Sequence, residues 1–281
     1  MKTYIKELEV RSNRQKGEYI KNFLKERSIP FFTQPFKTLL ARGENIIVDY
    51  PFHTTTSNKK IFLTAHYNAW FRTPGANDNG SGVAVLLGFL EKLAKEQKNF
   101  PIRFVFFDLE DGLAVRGGSK QYVKQFGVSD VEKVYNLEMV GMGRTLLLWP
   151  SKEVIENWLS SLVQYAKELK FEVVHFPERT VALITFPAKR GFTSDHVSFI
   201  EAGCKQVCSL TTFPKDDMPF FQQISAGKEK FKFVLELLKY HFFGKGKVPK
   251  VLRHYHNRDD RSEFIEEKNL ENMLELLWKI T

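Results

Sequence analysis

Residues 65–87 read AHYNAWFRTPGANDNGSGVAVLL. His66 closes an apolar run, KIFLTA, and Asp78 follows inside an Asn/Gly/Ser-rich turn. Further on, the run IRFVFFD ends on Asp108 and leads into Glu110 and Asp111, and VYNL leads into Glu138. Imidazole and carboxylate without thiolate suit Zn²⁺, or Mn²⁺ and Co²⁺ according to availability. A carboxylate has two oxygens, so one residue can bridge two cations roughly 3.5–4 Å apart, the spacing of two-metal hydrolases. Asp78 suits that bridge. The NGSG after it lets the backbone turn tightly into a helix, whose N-terminal amides would steady the carboxylate. The adjacent acids Glu110 and Asp111 are hard to keep charged together unless a cation offsets their repulsion. One of the pair would then bind metal while the other stays free as a base.

These residues need a frame that brings them together. Ile20, Phe23 and Leu24 share one face of a helix over residues 15–27, and strands are expected at 44–50 and 60–65. Val83, Leu86, Leu87 and Leu90 recur at i, i+3, i+4, i+7, the mark of a helix beginning near Ser81. IRFVFFD (102–108) is apolar throughout, as a strand buried on both faces of a parallel sheet should be. Ser119 is placed to cap a short helix that stops at Gly127, and VYNL (134–137) makes another strand. Longer helices are expected at 152–170 and 267–280. Strands alternating with helices imply an α/β fold with three α/β/α layers and a central mixed, largely parallel sheet. No internal repeat or linker interrupts the pattern, so one domain is expected over 1–281, carrying an inserted basic amphipathic segment at about 225–253. In such a sheet functional groups gather at the carboxyl ends of the strands. One strand-end acid is ordinarily just solvated. His or carboxylate groups at the ends of three strands argue for a shared site.

Composition narrows the classes. With 281 residues, 43% hydrophobic and 27% charged, the chain can bury a substantial core, and disorder is excluded. The net charge of +9 is spread along the chain, and no basic-aromatic recognition motif accompanies it, so no nucleic-acid partner is expected. The two cysteines, Cys204 and Cys208, make neither a disulfide framework nor a thiolate zinc site and are expected in the core. The N-terminal stretch MKTYIKELEVRSNRQKGEYIKNFL lacks an apolar run of signal-peptide length and no stretch approaches the ~20 residues of a membrane span, so a cytoplasmic protein is the expectation.

A more specific likeness emerges from the order of the motifs. His66 with PGANDNGSG (74–82), FFDLEDG followed by GGSKQYV (106–123), NLEMVG (136–141), SDHVSF (194–199) and YHNRDD (255–260) come in the order seen in the M28 family of zinc aminopeptidases. The chain resembles that family over about residues 11 to 281. The resemblance implies a phosphorylase/hydrolase-like α/β/α fold, two zinc ions and release of N-terminal residues from peptides. It implies one metal held by His66, bridging Asp78 and Glu138, and another held by Asp78, Asp111 and His256, with Glu110 as general base. Tyr255, beside the last histidine, is an added candidate as a donor to the substrate carbonyl. His254 is a rival for the final ligand position. His196 is a weaker candidate for metal, and Asp195 beside it is a candidate for orienting the ligands. His53, His175 and His241 have no supporting context.

Departures from the family pattern are informative. The Asp expected two residues after the first histidine is Asn68, so the His66 imidazole would be supported by an uncharged amide oxygen. The usual Glu-Glu pair is Glu110-Asp111, one methylene shorter at the second residue, and the usual Asp of the NLDM motif is Glu138, one methylene longer. No carboxylate is lost. A glutaminyl-cyclase-like acyltransferase with a single zinc, or a metal-free binding protein on the same frame, are the competing readings. The metal count separates them.

Overall fold

A computed structural model of the chain describes residues 1–52, 59–98, 100–111, 116–150, 158–175, 194–219, 236, 239–240 and 248–281. Among the described residues, eight strands form a single sheet: β1 (Phe32–Lys37), β2 (Arg42–Tyr50), β3 (Lys60–His66), β4 (Ile102–Phe107), β5 (Val131–Leu137), β6 (Thr145–Pro150), β7 (Glu172–His175) and β8 (Val207–Phe213). Their order across the sheet is β1-β2-β4-β3-β5-β8-β6-β7. The four central strands β4, β3, β5 and β8 run parallel, whereas β1, β2 and β6 join antiparallel. The sheet is thus mixed, with a parallel centre.

Alternation along the strands sorts the core into two faces. Ile61, Leu63, Phe104 and Phe106 pack on one side with helices α1 (Lys2–Glu9), α2 (Asn13–Glu26), α3 (Ser81–Leu93), α5 (Ser160–Glu168) and α7 (Glu267–Ile280). Phe62, Val105 and Phe107 pack on the other with Tyr122 of α4 (Gly117–Phe126) and Phe199 of α6 (His196–Glu201). These are the three layers that the hydrophobic pattern requires.

One topological feature positions everything that follows. From β3 the chain crosses through α3 to β4 on one flank, then returns through α4 to β5 on the other flank. Because α3 and α4 lie on opposite faces, the chain reverses its winding at β3. The loops after β3, β4 and β5 therefore open away from one another at the carboxyl edge and leave a crevice.

Several expectations shift at element ends. α2 begins at Asn13, two residues before the expected start, with Ser12 and Gln15 forming a reciprocal capping box. Ser119 lies inside α4, not at its cap; its hydroxyl meets Ser198 Oγ at 2.8 Å and so ties α4 to α6. The helix expected over 152–170 is described only from residue 158, and Val154 lies outside the described residues, as do His53, His241 and most of the basic segment 225–253. Cys204 and Cys208 are both free thiols, the second fully buried. Among the described residues, no helix is long and apolar enough to cross a membrane.

Leu63, at the middle of β3 and with no exposure, tests how far the site depends on this core. Leu63→Ala is expected to cost about 2–5 kcal/mol of stability through lost burial and a residual cavity. Urea denaturation of the whole chain would measure it.

Candidate metal centre

His66 is the last residue of β3 and is fully buried. Its Nδ1 lies 2.9 Å from the backbone carbonyl of Asn68. A carbonyl only accepts, so Nδ1 carries the proton and Nε2 presents its lone pair. That lone pair meets three carboxylates: Glu138 Oε1 at 3.3 Å, Asp78 Oδ1 at 3.4 Å and Glu110 Oε2 at 3.9 Å. Lone pair against carboxylate is repulsive unless a proton or a cation stands between them. Burial works against a charged imidazole here, but Glu138, Asp78 and Glu110 outweigh it and hold the pKa of His66 well above 6.5.

The second oxygen of Asp78 faces another histidine. His256 Nε2 is 3.4 Å from Asp78 Oδ2, at ion-pair distance without hydrogen-bond geometry, and 2.9 Å from Asp111 Oδ1. Asp78 thus divides its two oxygens between two imidazoles. Burial, with Asp111 beside it, pushes its pKa up to about 6. Burial pushes Glu110 the same way; His66 opposes this, while Asp111, Glu138 and Asp195 add to it, and the net shift is well above the usual carboxylate range.

Strong local constraints hold these groups in place. The turn at Ala76–Gly80 departs from helical geometry at Asp78 (φ −109°, ψ 87°) and Asn79 (φ −128°, ψ 38°), which turns the Asp78 carboxylate into the crevice. Asn79, not Asp78, bonds the first turn of the helix: its Oδ1 accepts Gly82 N–H at 3.1 Å and Met139 N–H at 3.2 Å, while its Nδ2 donates to Leu137 O at 2.7 Å. One side chain thereby joins the Asp78 turn to the loop of Glu138. Asn77 makes a parallel tie, its Oδ1 accepting Gly141 N–H at 2.9 Å. Leu109, Met139 and His256, all with φ +54°, occupy the left-handed region that side chains disfavour. Each costs about 1–3 kcal/mol. They stand next to Glu110, next to Glu138 and at His256 itself, where the backbone must kink to aim a side chain inward.

Asn68 departs from the expected role of supporting the His66 imidazole through its side chain. Its Oδ1 accepts Glu110 N–H at 2.9 Å and its Nδ2 donates to Asp111 O at 3.2 Å. An aspartate could accept the first bond but not donate the second. The added methylene of Glu138 also has a structural counterpart. Ser194 Oγ donates to Glu138 Oε2 at 2.5 Å, and Ser194 is itself held by Asn136 Nδ2 at 2.9 Å, so Oε1 is left to His66.

Three sets of donor atoms, each within 4.8 Å of one another, emerge among the described residues: His66, Asp78 and Glu138; Asp78, Asp111 and His256; and His66, Glu110 and Asp111. Their chemistry fits a divalent cation. The donors are nitrogen and oxygen, as zinc sites accept. Asp78 Oδ2 and Asp111 Oδ2 are buried with no hydrogen-bond partner, and such orphaned anionic oxygens are costly unless a cation or proton meets them. His66, Asp78, Glu110, Asp111, Glu138 and His256 therefore all lie at one site.

The other candidates are placed differently. Tyr255 stacks on His256 (centroids 3.7 Å, planes 20°), and Trp70 stacks on His256 at 4.5 Å and 11°. His254 instead stacks on Phe264 at 4.1 Å and stands outside the donor sets. His175 is exposed at the end of β7. Asp108 turns away from the crevice and accepts backbone N–H bonds from Glu44 and Leu109. Asp195 is fully buried, its charge felt by Glu110, and its pKa is pushed up to about 7 by burial. Sequence reasoning missed the asparagines of the turn, Ser194 and Trp70. Asn77 and Asn79 flanking Asp78 were the available signal, because paired amides beside a ligand have both donors and acceptors to spend on fixing it.

Comparison with known proteins gives the family and the fold. The model of peptidase family M28 matches residues 45–281. Aminopeptidase YwaD of Bacillus subtilis is 32% identical over 148 residues, which is 51% of this chain and 30% of that protein. An aminopeptidase of Pseudomonas aeruginosa is 33% identical over 87 residues, 30% of this chain and 16% of that one. The chain thus spans less than a third of the length of these curated relatives. Among solved structures, a leucine aminopeptidase precursor from Bacteroides thetaiotaomicron superposes with a TM-score of 0.69 at 17% identity, covering 99% of this chain and 94% of that one. A glutaminyl cyclase from Tannerella forsythia gives 0.70 at 16%, covering 99% and 95%. At these identities the likeness concerns the fold alone.

His196 supplies a pH test independent of metal. It is fully buried and lies edge-on to Trp149; burial, helped by Arg116, pushes its pKa down to about 3. Between its unfolded value near 6.5 and that folded value, the unfolded chain binds the extra proton. Stability should therefore fall with acidification from about pH 6.5, by up to about 1.4 kcal/mol per pH unit from this residue. Urea titrations at stepped pH on wild type and His196→Asn should show a shallower fall in the variant.

Proposed function

The chain belongs to peptidase family M28, and from that premise we propose that it is a zinc-dependent exopeptidase, aminopeptidase-like in releasing N-terminal residues from peptides. The observation that carries this reading is the position of Asp78, buried with one oxygen toward His66 and the other toward His256. His66, Asp78 and Glu138 would hold one zinc, and Asp78, Asp111 and His256 the other. Zinc bound there supplies a Lewis acid for the peptide carbonyl and brings the acidity of water toward a pKa of about 7.

Glu110 acts as the general base. Its carboxylate lies 3.9 Å from His66 Nε2, while His256 engages the neighbouring Asp111. Burial together with Asp111, Glu138 and Asp195 increases its affinity for a proton. It accepts the proton of the attacking water and passes it to the leaving amine. Asn68 fixes the backbone at this residue through the Glu110 N–H. Tyr255 is half-buried, and desolvation together with the charges of Asp78, Asp111, Glu110 and Glu138 keeps its phenol protonated. It is thereby available to donate to the substrate carbonyl oxygen as charge develops there, an interaction worth about 3 kcal/mol.

One observation favours a second reading, a cyclase-like acyltransferase on a single zinc. His66 is backed by the neutral carbonyl of Asn68 and not by a carboxylate, which weakens its hold on a cation. A metal-free binding role is opposed by the orphaned oxygens of Asp78 and Asp111.

The test is metal content per chain after purification without chelator, read with hydrolysis of aminoacyl amides. Two equivalents of zinc are expected, with Glu110→Gln losing about 10²–10⁴-fold in kcat at unchanged zinc content. Tyr255→Phe is expected to lose about 10²-fold at unchanged content. One equivalent would move the assignment to the cyclase-like reading. No zinc, and none taken up on addition, would overturn both.

A further inference from the structure

Lys16 is the anomaly outside the donor sets. It lies on α2, is 2% exposed and is of a type almost never buried without a partner. Its Nζ donates to the carbonyl of Pro74 at 2.8 Å, and its charge faces Asp260, Asp78 and Asp111. Asp260 is itself 3% exposed. Its Oδ1 accepts Asn77 N–H at 2.8 Å, its Oδ2 accepts Asp78 N–H at 3.0 Å, and its backbone carbonyl accepts Ala76 N–H at 3.1 Å.

These bonds meet a specific need. Asp78 and Asn79 are non-helical, so the N–H groups at the start of the turn have no regular ladder, and in a buried place each must find an acceptor. A carboxylate with both oxygens so used gives two charge-assisted bonds at fixed spacing. Gly75 makes the corner between the two partners, with φ +67°. A Cβ there would sit 2.5 Å from Ala69 Cβ, 2.7 Å from Asp78 O and 3.1 Å from Lys16 Nζ. Asp260 also follows His256 in the same loop. One loop thus delivers an imidazole to the second donor set and a carboxylate to the backbone of the residue both sets share.

We propose that Asp260, with Lys16 behind it, is a positioning pair that fixes the Asp78 carboxylate between its two histidines and ties the His256 loop to the Asp78 turn. Neither residue touches substrate. The inference rests on the site being a zinc centre.

Asp260→Asn is the direct variant. It keeps the volume and one acceptor but turns an NH₂ group toward the second N–H, donor against donor. Zinc binding by the whole chain, measured by competition with a chromogenic chelator, is expected to weaken about 10–100-fold. The visible spectrum of the cobalt(II)-loaded variant should change, a readout that loss of stability alone would not move. Lys16→Met keeps the apolar stem and removes the ammonium with its bond to Pro74. By charge alone, deleting a cation beside an anionic site would tighten zinc; the positioning role requires weaker binding. Folding of both variants is checked by circular dichroism, and either folded variant decides. Zinc binding as tight as wild type or tighter, with an unchanged cobalt spectrum, overturns the pair. Failure of the wild-type chain to bind zinc at all would instead identify the zinc reading as the error and remove the pair's purpose with it.

Discussion

A buried carboxylate shared by two imidazoles is the constraint on which the rest of the site depends. Asp78 must keep one oxygen toward His66 and the other toward His256, in surroundings that resist its ionisation. The two histidines come from widely separated elements: His66 ends β3, just before the Asp78 turn, whereas His256 lies in the loop that precedes α7. The backbone at Asp78 cannot be helical if its side chain is to point into the crevice, so the turn must be held by side chains from outside. Asn77, Asn79 and Asp260 do this, each spending polar atoms on backbone groups of the neighbouring loops.

The sheet explains why such a residue can exist. Reversal of winding at β3 opens the loops after β3, β4 and β5 at one edge, which delivers His66, the Glu110-Asp111 pair and Glu138 to a common crevice. The same geometry forces sharp exits from the strands, and Leu109 and Met139 adopt left-handed backbone at two of them. The cost of those conformations is offset by the core beneath, where β3 and β4 are buried along their whole length. Rigidity at the site thus comes from packing on both faces of the sheet together with a polar net at its edge.

Much of this was legible in the chain itself. The continuous apolar runs of β3 and β4 and the helical spacing of Val83, Leu86, Leu87 and Leu90 gave the parallel centre, because burial on both faces leaves an unambiguous pattern. The strand-end rule then brought His66, Glu110, Asp111 and Glu138 together. Strands β1, β6, β7 and β8 were not anticipated. Residues 32–37, in the edge strand β1, carry Pro35, Gln34 and Lys37, and such a mixed run resembles a loop until an antiparallel partner is known. Asn68 shows a different limit. Its place two residues after His66 suggests a side chain that supports the imidazole, but that side chain serves the Glu110-Asp111 backbone while its carbonyl serves His66. Whether a side chain or a main chain fills a hydrogen bond depends on local geometry that residue type does not encode. Lys16 was hidden for a similar reason, since a lysine in an amphipathic helix ordinarily faces solvent.

The central claim is that Asp78 bridges two cations, and anomalous diffraction at the zinc edge from zinc-soaked crystals addresses it most directly. The account requires two anomalous peaks flanking the Asp78 carboxylate, roughly 3.5–4 Å apart, one beside His66 and Glu138 and one beside Asp111 and His256. A single peak, or peaks that leave either Asp78 oxygen without a metal, would contradict it.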